Sequence, residues 1–334
     1  MKSNYAKLIP GIAFILLIAL PASYLGGKIP VIGGPVFAII AGLIIGIFYK
    51  NETLDPGVRF TSKKVLQYSI VLLGFDMNLK NIIEVGQSSL VVIVSTISAA
   101  LITAYIISKL LKIPAKTSVL IGVGSSICGG SAIAATAPAI RAENEDVAKA
   151  ISTIFLFNVI AALIFPSIGK LIGMTDFGFG MWAGTAVNDT SSVVAAATTW
   201  STLSGNDTAL KMATIVKLTR TLAIIPITFV LAIYTSKKEK NDAGFSIWKI
   251  FPWFIIMFLL AAVANTVFSI DPSISKSLVK LGKFMIVMAM AAIGFNTDIK
   301  SLIQGGIKPI LLGLICWISV ASTSLIIQSM LNMW

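Results

Sequence analysis

Polar residues interrupt this chain only briefly. Between the interruptions lie apolar runs over 8–25, 31–49, 61–78, 87–111, 116–140, 147–172, 181–200, 209–235, 247–268, 279–297 and 306–330. A helix rises about 1.5 Å per residue, so about 20 apolar residues cross the roughly 30 Å hydrocarbon layer of a bilayer. The pattern predicts an all-α polytopic membrane protein of ten or eleven transmembrane helices. No gap between the runs is long enough for a soluble domain, so residues 1–334 read as a single transmembrane domain. Met1 to Lys7 followed by Leu8 to Leu20 has the outline of a signal peptide. No small-residue cleavage site follows it and Pro21 interrupts the run, so it is read as a retained first helix.

Composition narrows the function classes. Hydrophobic residues make up 56% of the chain and charged ones 12%, against about 25% charged in soluble domains. The net charge of +12 comes from short basic clusters between apolar runs, which is how a polytopic membrane protein distributes charge; a nucleic-acid partner is not expected. There is no histidine, which removes the Ser-His-Asp triad, His-ligated metals and histidine proton relays together. An enzyme, a metal site and a cofactor are not expected. Cys128 and Cys316 lie in separate apolar runs, so neither reads as half of a structural disulfide. With the N-terminus in the cytoplasm, lysines and arginines divide sixteen inside to eight outside, although the cluster from Lys276 to Lys283 runs against this orientation.

One segment recurs. Gly74-Phe75-Asp76-Met77-Asn78-Leu79-Lys80, with Ile83 and Gly86, matches Gly294-Phe295-Asn296-Thr297-Asp298-Ile299-Lys300, with Ile303 and Gly306, at a constant offset of 220 residues. Each copy closes one membrane helix and leads through a short amphipathic connection into the next. The predicted topology has the copies facing opposite sides, as in the inverted repeats of secondary transporters.

The chemistry sits in three interruptions of apolar runs. Gly122 to Thr136 contains Gly124, Ser125, Ser126, Cys128, Gly129, Gly130 and Ser131. A Gly-Gly pair weakens a helix, and Ser131 is placed to cap a second half-helix. A helix broken at mid-membrane aims free N–H groups and the positive end of a dipole at the midplane, where an anion is the natural occupant. Close packing through small residues is the competing reading. The second interruption, Gly184 to Ala195, contains Asn188, Asp189 and Ser191. Gly184 to Ser191 repeats the seven-residue spacing of Gly124 to Ser131. An ionisable group within a span is a functional hypothesis by default, and a proton or sodium ion on Asp189 would couple to the anion; a capping role is the alternative. One difficulty stands out. A single span between the two interruptions makes both run the same way, whereas an inverted pair is antiparallel, unless a span is miscounted, an element is re-entrant or the similarity is not a repeat. Third, Lys217 and Arg220 share a helix face, with Pro226 offering a kink beyond them. Their partners are expected among Asp189, Asp76 and the substrate, with snorkelling to the interface as the alternative.

The Gly124 to Ala135 run, the Gly74-Phe75 helix end and the Lys217-x-x-Arg220 helix with its downstream proline resemble the sulfate exporter family of bacterial inner-membrane proteins, described largely as conserved hypothetical. The resemblance covers nearly the whole chain. That family resembles the bile acid:sodium symporter and cation:proton antiporter superfamily, which implies crossed broken helices in a core beside a scaffold panel. This sequence departs at Asn188, where the family pattern implies histidine before the acid; Asp189 is left as the titratable candidate.

The expectation is a multi-pass secondary transporter of the bacterial cytoplasmic membrane moving a small anion, such as sulfate, sulfite or an organic sulfonate. Ser125, Ser126, Cys128, Gly129, Gly130, Ser131, Lys217 and Arg220 are its candidate substrate-binding residues; Asn188, Asp189 and Ser191 are candidates for a proton or sodium site. Its other partners are membrane lipid and, if it self-associates, a second copy. A sodium/proton antiporter is the alternative, and a membrane-embedded enzyme or receptor the alternative of another class.

Overall fold

The computed structural model describes residues 7–29, 34–49, 51–239, 253–268, 270–297 and 306–334, and among these every regular element is helical. In chain order they are α1 (Ile9–Lys28), α2 (Gly34–Phe48) and α3 (Asp55–Phe60), which continues through a wide turn at Thr61–Val65 into α4 (Leu66–Gly74). Then come α5 (Leu79–Leu111), α6 (Ala115–Ser126), α7 (Gly130–Ala139), α8 (Asn144–Leu171), α9 (Asp176–Ala186) and α10 (Thr190–Ser204). The chain goes on through α11 (Thr208–Thr221), α12 (Ile224–Glu239), α13 (Trp253–Phe268), α14 (Pro272–Asn296) and α15 (Ile307–Met330). Among the described residues six stretches are long and apolar enough to cross a membrane: α1, α5, most of α8, the α11–α12 pair, α14 and α15. The protein is a multi-pass, all-α membrane protein.

Polar residues at the apolar boundaries set the helix ends. The Asn78 side chain accepts the Lys80 N–H and starts α5 at once, earlier than the apolar run alone indicates. Asp271 with Pro272 starts α14 in the same manner. Glu143 and Asp146 form a capping box for α8.

Two layers result. The first, a scaffold, holds α1 to α4, α13 and α14. Its tightest seam joins α2 to α14: a Cβ on Gly42 would lie 2.3 Å from the Ala291 carbonyl, and one on Gly294 2.3 Å from that of Ile39. Only glycine lets the two backbones touch, and contact of this kind holds helices together in lipid. The second layer, the core, is built from α5 to α12 with α15. Helices α4 and α14, each of which ends in a copy of the repeated segment, lie side by side and antiparallel, with Ser275 Oγ donating to the Phe75 carbonyl and Gly282 against Ser69, so the two copies sit at opposite ends of the pair. Residues 298–305 of the second copy lie outside the described residues.

The runs 116–140 and 181–200 enter the membrane layer without crossing it. Lys116 Nζ donates to the Arg141 carbonyl at 2.8 Å and Thr117 Oγ1 bonds Asp146, so the start of α6 stands beside the end of α7. Likewise Trp200 Nε1 and Asn206 Nδ2 donate to Asp176 at 2.7 Å, and the Phe179 and Trp200 rings stack at 4.1 Å. The start of α9 thus stands beside the end of α10. Both pairs are re-entrant helical hairpins, leaving nine crossings among the described residues. One crossing, α8, separates them, so they enter from opposite faces, and the antiparallel relation that two crossing spans would forbid is restored. This topology also moves Arg141 and Lys149 to the cytoplasmic set and Lys170 out of it, which strengthens the inside bias.

The α11–α12 crossing runs past both hairpins: α11 packs on α9 and α10, and α12 on α7. The hairpins therefore occupy opposite halves of the layer, and their tips meet beside the α11–α12 junction. They sit differently against the scaffold. Helix α10 packs on α2 and α14 and is buried from Thr190 to Ser201. Helix α7 packs on α6, α8 and α12 and leaves Ser131, Ala134 and Pro138 exposed.

Candidate functional site

At each tip a helix ends and another begins after three intervening residues. Helix α6 stops at Ser126 and α9 at Ala186. The last carbonyls of any helix lack intrahelical partners and carry the negative end of its dipole. Away from water, each would cost several kcal/mol if left bare. Two side chains of α11 meet them.

Lys217 Nζ donates to the carbonyls of Ile127 at 2.6 Å, Val187 at 3.2 Å and Asn188. Arg220 donates from Nε to Ser126 and from Nη2 to Ser125, both at 2.7 Å, and from Nη1 to Thr185. Both side chains are 0% exposed, and each bridges the two hairpins. An ammonium has three N–H donors, so those of Lys217 are all engaged. A guanidinium has five, so Arg220 keeps one on each terminal nitrogen. Sequence alone points Lys217 and Arg220 toward Asp189, Asp76 or substrate. Here their hydrogen bonds go to six backbone carbonyls. Asp76 is not their partner, since it pairs with Lys211 at one membrane face. The helix breaks just past them, after Thr221, because Pro226 has no N–H to offer the Leu222 carbonyl.

The opposite ends of the breaks are positive. Helix α7 begins at Gly129, at φ 67° and ψ −127°, a conformation open to glycine and closed to L side chains. Gly129, not Ser131, is the cap residue, and Ser131 is the second residue of the helix. No side chain caps this end by a hydrogen bond. Helix α10 begins at Asp189, whose Oδ2 accepts the Ser191 N–H at 3.0 Å and the Ser191 hydroxyl. Asp189 is thus a capping residue in this conformation, at the meeting point of the hairpins rather than at a membrane surface.

The candidate residues of both interruptions and of α11 come together here. One participant escaped sequence reasoning. Asn158 of α8 accepts the Asp189 N–H at 3.1 Å through Oδ1, and its Nδ2 would stand 3.3 Å from a Cβ on Gly129. It joins the two tips from a further helix, α8. Its one visible signal was being the sole amide in the run 147–172.

Two features give the cluster chemical capacity. The side chains of Asn188, 1% exposed, and the hydroxyl of Ser125, 0% exposed, have no protein partner, and buried polar groups are normally paired. Two cations face one carboxylate, and the N-termini of α7 and α10 add positive potential. Gly130 and Asp189 are partly exposed and Ser131 is exposed.

The family model described as Conserved hypothetical protein 698 matches residues 10–313. A UPF0324 membrane protein of Fusobacterium nucleatum is 54% identical across 97% of this chain and 98% of its own length. One from Streptococcus pyogenes serotype M6 is 52% identical over 99% and 100%, and one from Streptococcus mutans 50% identical over the whole of both chains. With the glycine-hinged tips and the α11 cations lying inside the matched region, the chain belongs to the Conserved hypothetical protein 698 family of membrane proteins.

Proposed function

We propose that this protein is a secondary transporter of a small anion, such as sulfate, sulfite or an organic sulfonate, in the bacterial cytoplasmic membrane. The observation that carries the reading is the charge balance at the hairpin tips, where buried Lys217 and Arg220 face the single carboxylate of Asp189. In broken-helix transporters, N-terminal ends hold anionic groups while C-terminal carbonyls hold the coupling cation. In this protein those carbonyls already hold the built-in cations of α11, which counts against the sodium/proton antiporter. An anion is left the α7 N-terminus at Gly130 and Ser131, the two spare N–H groups of Arg220, the Ser125 hydroxyl and the Asn188 amide.

Two inverted hairpins whose tips share one site give the symmetry that alternating access requires. Asp189 competes with an anion for the same positive potential. Protonation of its carboxyl, or a sodium ion beside it, would favour anion binding, and that mutual dependence is the coupling. Proteoliposomes test the reading. Labelled sulfate, sulfite or a sulfonate should enter against its gradient when a proton or sodium gradient is imposed, and Asp189→Asn should leave only exchange or downhill flux. Gradient-driven sodium movement with no anion flux would establish the antiporter instead.

A further inference from the structure

One membrane face carries two ion pairs that no part of the tip site uses. Lys211 of α11 meets Asp76, just past α4, at 2.7 Å. Lys283 of α14 meets Asp207, at the start of α11, at 2.6 Å. Both pairs run between core and scaffold, and their signs alternate: the core offers one acid and one base, and the scaffold answers with a base and an acid. Leu73, Met77, Leu210 and Val279 close around Asp76, Asp207 and Lys211, leaving a gap of about 10 Å³. That is at the lower limit of what admits one water.

This seam lies at the mouth of the α9–α10 hairpin, the hairpin whose second helix is buried against α2 and α14. At the other face the counterpart helix α7 stands clear of that panel and exposes Ser131, Ala134 and Pro138. The two faces thus differ: one holds its hairpin helix buried against the scaffold, and the other leaves its counterpart partly exposed. We propose that the Asp76–Lys211 and Asp207–Lys283 pairs are the latch of the outer gate, formed when α10 is docked on the scaffold and broken when the core moves to expose the tips on that side. The inference rests on the transport reading for its purpose, but not for its test.

In a variant with Cys128 and Cys316 replaced, Ala195→Cys puts a reporter thiol on α10, where Ala195 is fully buried. A membrane-impermeant thiosulfonate is applied from the Gly205 face, and the labelling rate is read. The latched protein should label slowly. Asp76→Lys converts an attraction into a repulsion and should raise the rate roughly three- to tenfold. Adding Lys211→Asp makes the core side wholly acidic and the scaffold side wholly basic, so the double variant should return toward the slow rate. That restoration separates a latch from misfolding. Fast labelling of the parent, an unchanged rate in Asp76→Lys, or a double variant as fast as the single one would each overturn the latch. Because no substrate enters the assay, a latch that passes beside failed anion flux would sink only the transport reading, and the reverse pattern would sink only the latch.

Discussion

Lys217→Met is the sharpest perturbation of the hairpin tips. Methionine nearly matches the length of lysine but donates nothing, so the carbonyls of Ile127, Val187 and Asn188 lose a shared donor at once. Leaving a buried acceptor unsatisfied costs about 1–3 kcal/mol, which for three carbonyls sums to about 3–9 kcal/mol. Relief from burying an ammonium offsets part of this, and removal of one partner from a buried charged cluster typically costs about 3–5 kcal/mol. The lower bound, about 3 kcal/mol, is the expected loss. At roughly 2–4 °C per kcal/mol for larger domains, the apparent unfolding midpoint in one fixed detergent should fall by about 6–12 °C. A second readout ties the loss to the tips. Cys128, 2% exposed beside Ile127, should be inert to maleimide in the parent and reactive in the variant well below its midpoint. A Lys217→Met protein as stable as the parent, with Cys128 still protected, would refute the assignment of Lys217 as the donor that joins the hairpins.

Four further outcomes are expected. Gly129→Ala forces a side chain into φ 67° beside Asn158 and should cost about 1–3 kcal/mol, measured as a fall in midpoint; a neutral substitution would mean that the tip is not held in this turn. Asn158→Ala removes the acceptor of the Asp189 N–H and should weaken anion affinity, whereas unchanged affinity would confine it to packing. Arg220→Lys keeps the charge but not the fork and should bind more weakly than the parent, while Arg220→Ala should not bind; equal binding in all three would remove Arg220 from the site. At the hairpin base, partial burial raises the pKa of Asp176, but hydrogen bonds from Asn206, Trp200 and Ser204 outweigh it and hold the carboxyl below its ordinary value. A depressed carboxyl stabilises above its unfolded pKa, and that contribution is lost as pH falls through the folded value. Asp176→Asn should therefore flatten the acid limb of the stability profile; an unchanged limb would show that other carboxylates set it.

The breaks were legible in the sequence because glycine pairs and serines inside apolar runs have few other uses. Chain direction was not. A run such as 116–140 has the same composition whether it crosses the bilayer or folds back, since lipid and neighbouring helices demand apolar surface either way. Two hints existed: Arg141 and Lys149 stood on the less basic side, and the second interruption had the wrong parity for an inverted copy. The destination of the cations was hidden for a different reason. Carbonyl acceptors belong to every residue, so no sequence pattern announces that Ser125, Ser126, Ile127, Thr185, Val187 and Asn188 will present theirs together. Asp76 illustrates the converse, a plausible partner by charge that the fold carries to the membrane face.

The central claim is that the tips hold an anion between built-in cations, and equilibrium binding tests it most directly. Purified protein in sodium-free choline buffer would be titrated calorimetrically with sulfate, sulfite, a sulfonate and a carboxylate, and separately with sodium. One of the sulfur anions should bind at one site per chain, more tightly in Asp189→Asn than in the parent, and not at all in Arg220→Ala. Sodium binding to the parent, with no heat from any anion at any pH, would contradict the account.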